Sequence, residues 1–394
     1  MKIKEDIKAV EKEIIEWRRA LHKIPEVGLE LPKTAEYVAK QLDEMGIEFK
    51  EGVGGYGIVG LIEGKKDGKT IALRADMDAL AIEEETGLPF ASGNGNMHAC
   101  GHDAHTAMLL GAARVLQENR EKLNGNIKLI FQPAEEGPGG AKPMIEEGAM
   151  ENPTVDAVLG LHIGSISKDI KNGVVGISYG NLMACLDRFL ITVKGEGCHG
   201  AYPELGKDPV AMTGQLITAL QTIVSRNIKA TEPAVLTIGS LNGGRAYNII
   251  PDTVSIEGTV RATNQEVREL IARRIEEITS SICKGMGGDY ELEYTFGYPP
   301  LVNDKDFTEE FVKTVESIVS KEEIIELSTP VMGGEDMAYF LQEVPGTFFF
   351  LGSAKSVNGE FYPHHNAKFD LDESVFWKGA ALLAQGAIDW LDKE

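Results

Sequence analysis

Apolar residues recur every three or four positions at Ile7, Val10, Ile14, Trp17 and Leu21, which predicts an amphipathic helix ending before Pro25. A second helix is expected over 34–45, stopped at Gly46, with strands over 57–63 and 70–74 after it. Helical spacing returns in Ala104, Ala107, Met108, Gly111, Ala112 and Val115, and Asp103 is the expected N-cap of that helix. The apolar runs at 126–131 and 155–161 read as buried strands. Helices and strands in alternation point to an α/β domain.

From about residue 186 the pattern changes. Phe189-Leu190-Ile191-Thr192-Val193 alternates as a half-buried strand does, and a helix over 208–227, strands over 234–241 and 253–263, a helix over 265–284 and a strand near 290–296 follow. This β-α-β-β-α-β order predicts a ferredoxin-like α+β insert over 186–296. The first pattern then resumes, with a helix over 306–320, a buried strand over 347–352 and a final helix marked by Phe376, Ala380, Leu383 and Ile388. One domain is therefore expected in two parts, 1–185 and 297–394, around the insert; 394 residues are too many for a single ordinary core.

A net charge of −22 argues against nucleic acid or an anionic membrane as partner, since both call for a positive surface. Residues 1–16 are charged and amphipathic, without the apolar core of a signal peptide, and no run approaches membrane-spanning length, so a cytoplasmic location is expected. Cys100, Cys185, Cys198 and Cys283 lie far apart, which suits reduced thiols better than a disulfide framework.

The chemistry concentrates in Met97-His98-Ala99-Cys100-Gly101-His102-Asp103-Ala104-His105, on a loop running into a helix. Three histidines and a thiol in nine residues are hard to attribute to packing. Three strands also end in ligand-type residues: Asp76 and Asp78 after the first, Glu135 and Glu136 after the second, His162 after the third. Any one alone would read as a solvated turn or a structural histidine, but the repetition shifts that balance. Adjacent carboxylates repel unless a dication relieves them, and then one can ligate while its neighbour acts as a base. His364 and His365 are adjacent, so at most one reaches a shared site. Cys100, His102, Glu136, His162 and one of those two histidines are too many ligands for one tetrahedral zinc. Two divalent ions sharing a ligand would use them, in the manner suited to hydrolysis. A thiolate among imidazoles favours zinc, with nickel, cobalt or manganese compatible by ligand type. In the insert, the glycine-rich loop at 195–203 makes His199 a further candidate, while Cys198 reads as filling space; His22, Arg18 and Arg19 read as structural or surface residues.

Six runs carry a resemblance: Leu73-Arg74-Ala75-Asp76-Met77-Asp78-Ala79-Leu80, His98 to His105, Gln132 to Gly137, His199-Gly200-Ala201-Tyr202-Pro203, Asn248-Ile249-Ile250-Pro251-Asp252 and His364-His365-Asn366. Together they resemble the aminoacylase/carboxypeptidase family of metallopeptidases, in its amidohydrolase branch of hippurate hydrolases, indole-acetyl amino acid hydrolases and N-acetyl-diaminopimelate deacetylases. The cysteine of the central motif is the branch-specific signal. The resemblance implies a mixed-sheet catalytic domain with a binuclear metal centre, an inserted lid and dimerisation domain, and assembly as a homodimer, with a homotetramer as the alternative. It implies that Cys100 bridges two metals, that His102, Glu136, His162 and His365 complete the set, that Glu135 is the general base, and that Asp78 is an orienting aspartate. Asp76 stands where other branches place a ligating histidine. His199 would reach the partner's active site and stabilise the oxyanion, Asn248 would contact substrate, and Arg261 would meet the substrate carboxylate. There are two departures: Ala81 where proline is common, a local turn variation, and Glu204 where histidine is common, which changes the charge beside the His199 loop and so bears on substrate preference. His98 and His105 fall to supporting roles.

The expected activity is hydrolysis of the amide of a small N-acyl amino acid to a carboxylate and a free amino acid, with a carboxypeptidase or dipeptidase acting on short peptides as the nearest alternative. Two other readings compete: Cys100 as a metal-free nucleophile beside a histidine, and a metal-storage protein. Storage has no use for a spare base such as Glu135 beside a ligand.

Overall fold

The computed structural model describes residues 1–65, 68–167, 169–357 and 359–393. The chain divides into two compact units, the first comprising Met1–Gly180, Val302–Thr329 and Asp336–Glu394, the second Asn181–Leu301 and Pro330–Glu335.

The first unit is built on an eight-stranded sheet among the described residues, in the order Glu48–Val53, Gly57–Ile62, Asn126–Gln132, Thr70–Asp76, Ala157–Ile163, Gly346–Leu351, Val175–Ile177 and Ile324–Glu326. The four central strands, Asn126–Gln132 through Gly346–Leu351, run parallel to one another. Antiparallel pairing at Gly57–Ile62 and Val175–Ile177 makes the sheet mixed. Thr70–Asp76, Ala157–Ile163 and Gly346–Leu351 are buried along their whole length, which is why they read as unbroken apolar runs rather than alternating ones. The helix His102–Glu118 packs in the same core as Glu11–His22 and the C-terminal helix Phe376–Leu391. Glycines make those approaches possible. A Cβ on Gly111 would stand 2.6 Å from Ile14, and one on Gly379 would stand 2.2 Å from Met108 Sδ. Substitution there overpacks the core, at a typical cost of about 1–3 kcal/mol.

Parallel strands bring their carboxyl ends to one side of a sheet, and open α/β folds build sites there. Asp76, Gln132 and Ile163 end three neighbouring strands, so the 76–78 turn, the 133–139 loop and His162 converge. One expectation changes at this point. Gly101, with φ of 90°, occupies the N-cap of His102–Glu118, and Asp103 lies in the first turn. Its carboxylate is occupied by Arg18 and His22 instead of capping from outside.

The second unit has the strand order Ala234–Gly243, Thr253–Ala262, Asp187–Lys194 and Asp289–Thr295, all antiparallel. With helices Pro209–Thr222 and Gln265–Gly285 this is the ferredoxin-like β-α-β-β-α-β arrangement. Phe189, Ile191 and Val193 alternate into its core with Leu216, Leu220, Ile256, Ile271 and Ile275. Asp208 and Asn264 cap the two helices, each accepting backbone N–H bonds from the first turn. A separate two-strand ladder pairs Cys198–His199 with Ile249–Ile250.

Candidate metal centre

Strand ends, the loop at the head of the His102–Glu118 helix and the turn at His365 deliver two triads that share one atom. Ligand atoms of Cys100, His102 and His162 lie within 4.8 Å of one another, as do those of Cys100, Glu136 and His365. The shared Cys100 Sγ is the arrangement a bridging thiolate requires. Cys100, His102 and His162 are buried, whereas the His365 ring is half exposed.

Hydrogen bonds fix which nitrogen of each ring faces the cluster. His102 Nδ1 lies 3.2 Å from Asp78 Oδ1; a carboxylate only accepts, so Nδ1 carries the proton and Nε2 turns inward. His162 Nδ1 donates to the Ile163 carbonyl at 2.8 Å, which leaves Nε2 facing Cys100 Sγ at 3.4 Å. His102 Nε2 is buried without a hydrogen-bond partner. Leaving such an atom unsatisfied is costly. Divalent cations are the partners that an imidazole lone pair, a carboxylate and a thiolate have in common, so these residues fit the metal pair that the fold implies.

The adjacent glutamates are held by one carboxylate. Asp78 accepts the backbone N–H of Glu135 on Oδ1 and that of Glu136 on Oδ2, both at 3.0 Å, while also bonding His102. Ala134, just before them, has φ of 59°, and His365 has φ of 62°. Left-handed backbone at residues with a Cβ persists only where the surroundings impose it. For His365 one such tie is its N–H bond to the Ala99 carbonyl at 2.8 Å. Its ring Nε2 stands 3.0 Å from Glu136 Oε1. His364 points elsewhere, donating from Nε2 to the Ile163 carbonyl at 3.0 Å.

Charge states follow from burial and neighbours. Burial and the Glu136 and Glu135 carboxylates push the Cys100 thiol well up. Burial opposes charge on His102, but Asp76, Asp78 and Glu136 prevail and raise it to about 10. Burial keeps His162 neutral, aided by His105 and His364, and lowers His98 to about 3. A ligand set that holds protons when metal-free releases them on binding.

Asp76 is engaged by the protein itself: Oδ1 bonds His105 Nδ1 at 2.5 Å and Oδ2 takes Arg74 Nη1 at 2.8 Å. Several supporting residues escaped the sequence. Arg18 Nε bonds Asp103 at 2.8 Å and His22 Nδ1 bonds the same oxygen at 2.7 Å, with Glu84 3.2 Å from His22 Nε2. Both residues are buried. The available signal was spacing, since residues 14, 18 and 22 share one helix face. His98 is buried with neither ring nitrogen bonded.

In the second unit, the short ladder places His199 opposite Ile249 and so beside Asn248, and the Gly200 N–H bonds the Asn248 carbonyl at 2.8 Å. His199 Nδ1 accepts from the Ala201 N–H at 3.0 Å, so a neutral ring carries its proton on Nε2. Both residues are exposed. Arg261, on Thr253–Ala262, bonds the Val260 carbonyl at 3.0 Å and the Thr259 hydroxyl. Cys198 Sγ lies 3.5 Å from the Tyr202 carbonyl.

Comparison with known proteins agrees with this geometry. Residues 72–388 match peptidase family M20/M25/M40. The chain is 43% identical over 389 residues to an N-acetyl-L-cysteine deacetylase of Bacillus subtilis, covering 98% of this chain and 90% of the relative. It is also 43% identical to thermostable carboxypeptidase 1 of Saccharolobus solfataricus, covering 100% and 99% of the two chains. Among solved structures, the YXEP protein of Bacillus subtilis, described as a dinuclear metal-binding peptidase of family M20, superposes with a TM-score of 0.85 at 33% identity, covering 98% of this chain and 99% of that one.

Proposed function

The chain belongs to peptidase family M20/M25/M40 and is a metal-dependent amidohydrolase; from that premise we propose that it cleaves N-acyl amino acids to a carboxylate and a free amino acid, with Glu135 as the general base. The observation that carries this reading is the sharing of Cys100 between two ligand triads, with Glu135 next in sequence to Glu136. Two zinc ions are the proposed occupants, held by Cys100, His102, Glu136, His162 and His365. When bound, such a pair polarises the scissile carbonyl and acidifies water.

The chain's own residues do the rest. Glu135 takes a proton from the attacking water and returns it to the departing amine, so one carboxylate serves both directions of transfer. Asp78 holds that carboxylate's backbone and orients His102 from behind. His199 donates its Nε2 proton to the oxyanion, which a neutral ring can do because Ala201 occupies Nδ1. Asn248 beside it contacts substrate, and Arg261 meets the substrate carboxylate. We assign His199 to the site of a second copy in a homodimer, and four free cysteines suit the reducing cytoplasm.

Equal identity to a deacetylase and to a carboxypeptidase keeps short peptides as a second substrate class. Acyl groups differing by a methylene change binding by only about 1–3 kcal/mol, so pocket shape decides between them. A panel of N-acetyl, N-benzoyl and dipeptide substrates, run on zinc-reconstituted protein, tests the assignment. Turnover of the N-acyl amino acids above the dipeptides is expected; dipeptides alone would overturn it.

A further inference from the structure

Asp336 is fully buried at the head of the short helix Met337–Glu343, yet its carboxylate does not cap that helix. It is spent on the segment that carries Glu135 and Glu136. Gln132 Nε2 bonds both of its oxygens, at 2.7 and 2.8 Å, and the backbone N–H groups of Gly140 and Ala141 bond Oδ2 at 3.0 Å each. Gln132 is the last residue before the 133–139 loop, and Gly140 and Ala141 are the first after it. One carboxylate therefore ties both ends of the loop, while Asp78 holds its middle. The ends approach so closely that a Cβ on Gly140 would stand 1.9 Å from the Pro133 carbonyl oxygen. Within the loop, the Gly137 and Gly139 N–H groups close onto the Ala134 carbonyl at 3.2 and 2.9 Å. The left-handed Ala134 needs such ties on both sides to persist.

A second limb leaves the same carboxylate. Arg74 Nη2 bonds Asp336 Oδ1 at 2.8 Å, its Nε bonds Gln132 Oε1 at 2.9 Å, and its Nη1 bonds Asp76. Asp76 holds His105, whose Nε2 accepts the Ile163 N–H at 2.8 Å, next in sequence to His162. All of these groups are buried. The network thus joins the glutamate loop to the strand that ends in His162, from behind the cluster.

We infer that Asp336 is a positioning residue for the metal centre, fixing Glu136 through the two ends of its loop and His162 through Arg74, Asp76 and His105. The inference rests on the two-metal reading above. Partners that orient metal ligands without touching the metal change metal affinity by about 10–100-fold when removed. Asp336→Asn keeps the size of the side chain but turns an N–H donor toward donors.

The test is a Co²⁺ titration against a chromophoric chelator, on protein whose fold is checked by far-UV circular dichroism. Asp336→Asn is expected to weaken the weaker of the two bound ions about 10–100-fold and to alter the cobalt visible spectrum. In a Glu136→Gln background the same substitution is expected to lose the share of that effect that runs through the loop, which no longer carries a ligand, and to keep only the share that runs through His162. An equal loss in both backgrounds would mean general destabilisation and overturn the inference, as would unchanged affinity. If Asp336→Asn does not fold, Gln132→Met, which removes the leading tie and the Arg74 Nε bond but leaves Gly140 and Ala141 tied to Asp336, decides: weaker metal binding supports the inference and unchanged binding overturns it. Wild-type protein that binds fewer than two ions would instead defeat the two-metal reading, and the inference with it.

Discussion

The candidate residues of the two units are held in opposite ways. In the first unit, Cys100 and His102 are buried at the head of a helix and His162 at a strand end, and each histidine is oriented by a hydrogen bond on its far nitrogen. In the second, His199 and Asn248 are exposed on a two-residue ladder, with one backbone contact setting the His199 ring. Metal ligands must hold their geometry against one another and are built on rigid elements. A group that meets the substrate only as charge develops can sit on a loop. Under the proposed function, the difference separates residues that would assemble a centre from residues that would complete it.

Substitutions should expose that difference in graded fashion. Glu135→Gln is expected to lower kcat by about 10²–10⁴-fold, the usual weight of a general base, while metal content by atomic absorption stays at the wild-type level. Loss of metal along with activity would instead make Glu135 a ligand. His199→Ala is expected to cost about 10²–10³-fold in kcat, the scale of one oxyanion donor, with metal affinity unchanged. Mixing it with Glu135→Gln should restore partial activity, since one kind of site in a mixed dimer would then have both groups intact; confirmed mixed dimers without recovery would place His199 in its own subunit's site.

The metal-facing residues should also respond to pH in a way the exposed ones do not. His102, raised to about 10, and the Cys100 thiol hold protons in the metal-free protein. Both must be released on binding, so apparent metal affinity is expected to rise about tenfold per pH unit for each proton displaced. Competition titrations from pH 6 to 8, about two units around neutrality, should give a slope near two. A flat profile would mean that the ligands are already deprotonated. The sign reverses for the stability of the metal-free protein. A raised histidine stabilises the fold fully below its ordinary 6.5, and that contribution fades as pH climbs through about 10. The smallest effect is expected from Arg261→Ala, a several-fold rise in KM without change in kcat; a fall in kcat alone would remove it from ground-state binding.

The candidate ligands stood out in the sequence because Glu136 and His162 close strand-like runs, whose strands flank Thr70–Asp76 in parallel, and because Cys100 and His102 crowd the loop that opens a helix. The ferredoxin-like insert was legible because its strands alternate and its helices carry Asp208 and Asn264 at their heads. The supports were not. Arg18 reaches Asp103 across 85 residues and Arg74 reaches Asp336 across 262, and no local pattern reports a pairing that only the strand order creates. Asp103 misled for the same reason. Its position and type suit an N-cap, but its carboxylate serves two residues of the Glu11–His22 helix. Arg74 carried a trace, as a charge inside an apolar strand, and Arg18 and His22 carried one in their spacing from Ile14.

The central claim is that hydrolysis depends on two ions gathered around Cys100, and it stands against Cys100 acting as a metal-free nucleophile. The direct measurement is turnover of an N-acetyl amino acid by chelator-stripped protein as zinc is added back in known equivalents. No turnover without metal, and full recovery as the second equivalent is bound, is the expected result. Undiminished turnover by the stripped protein would contradict it.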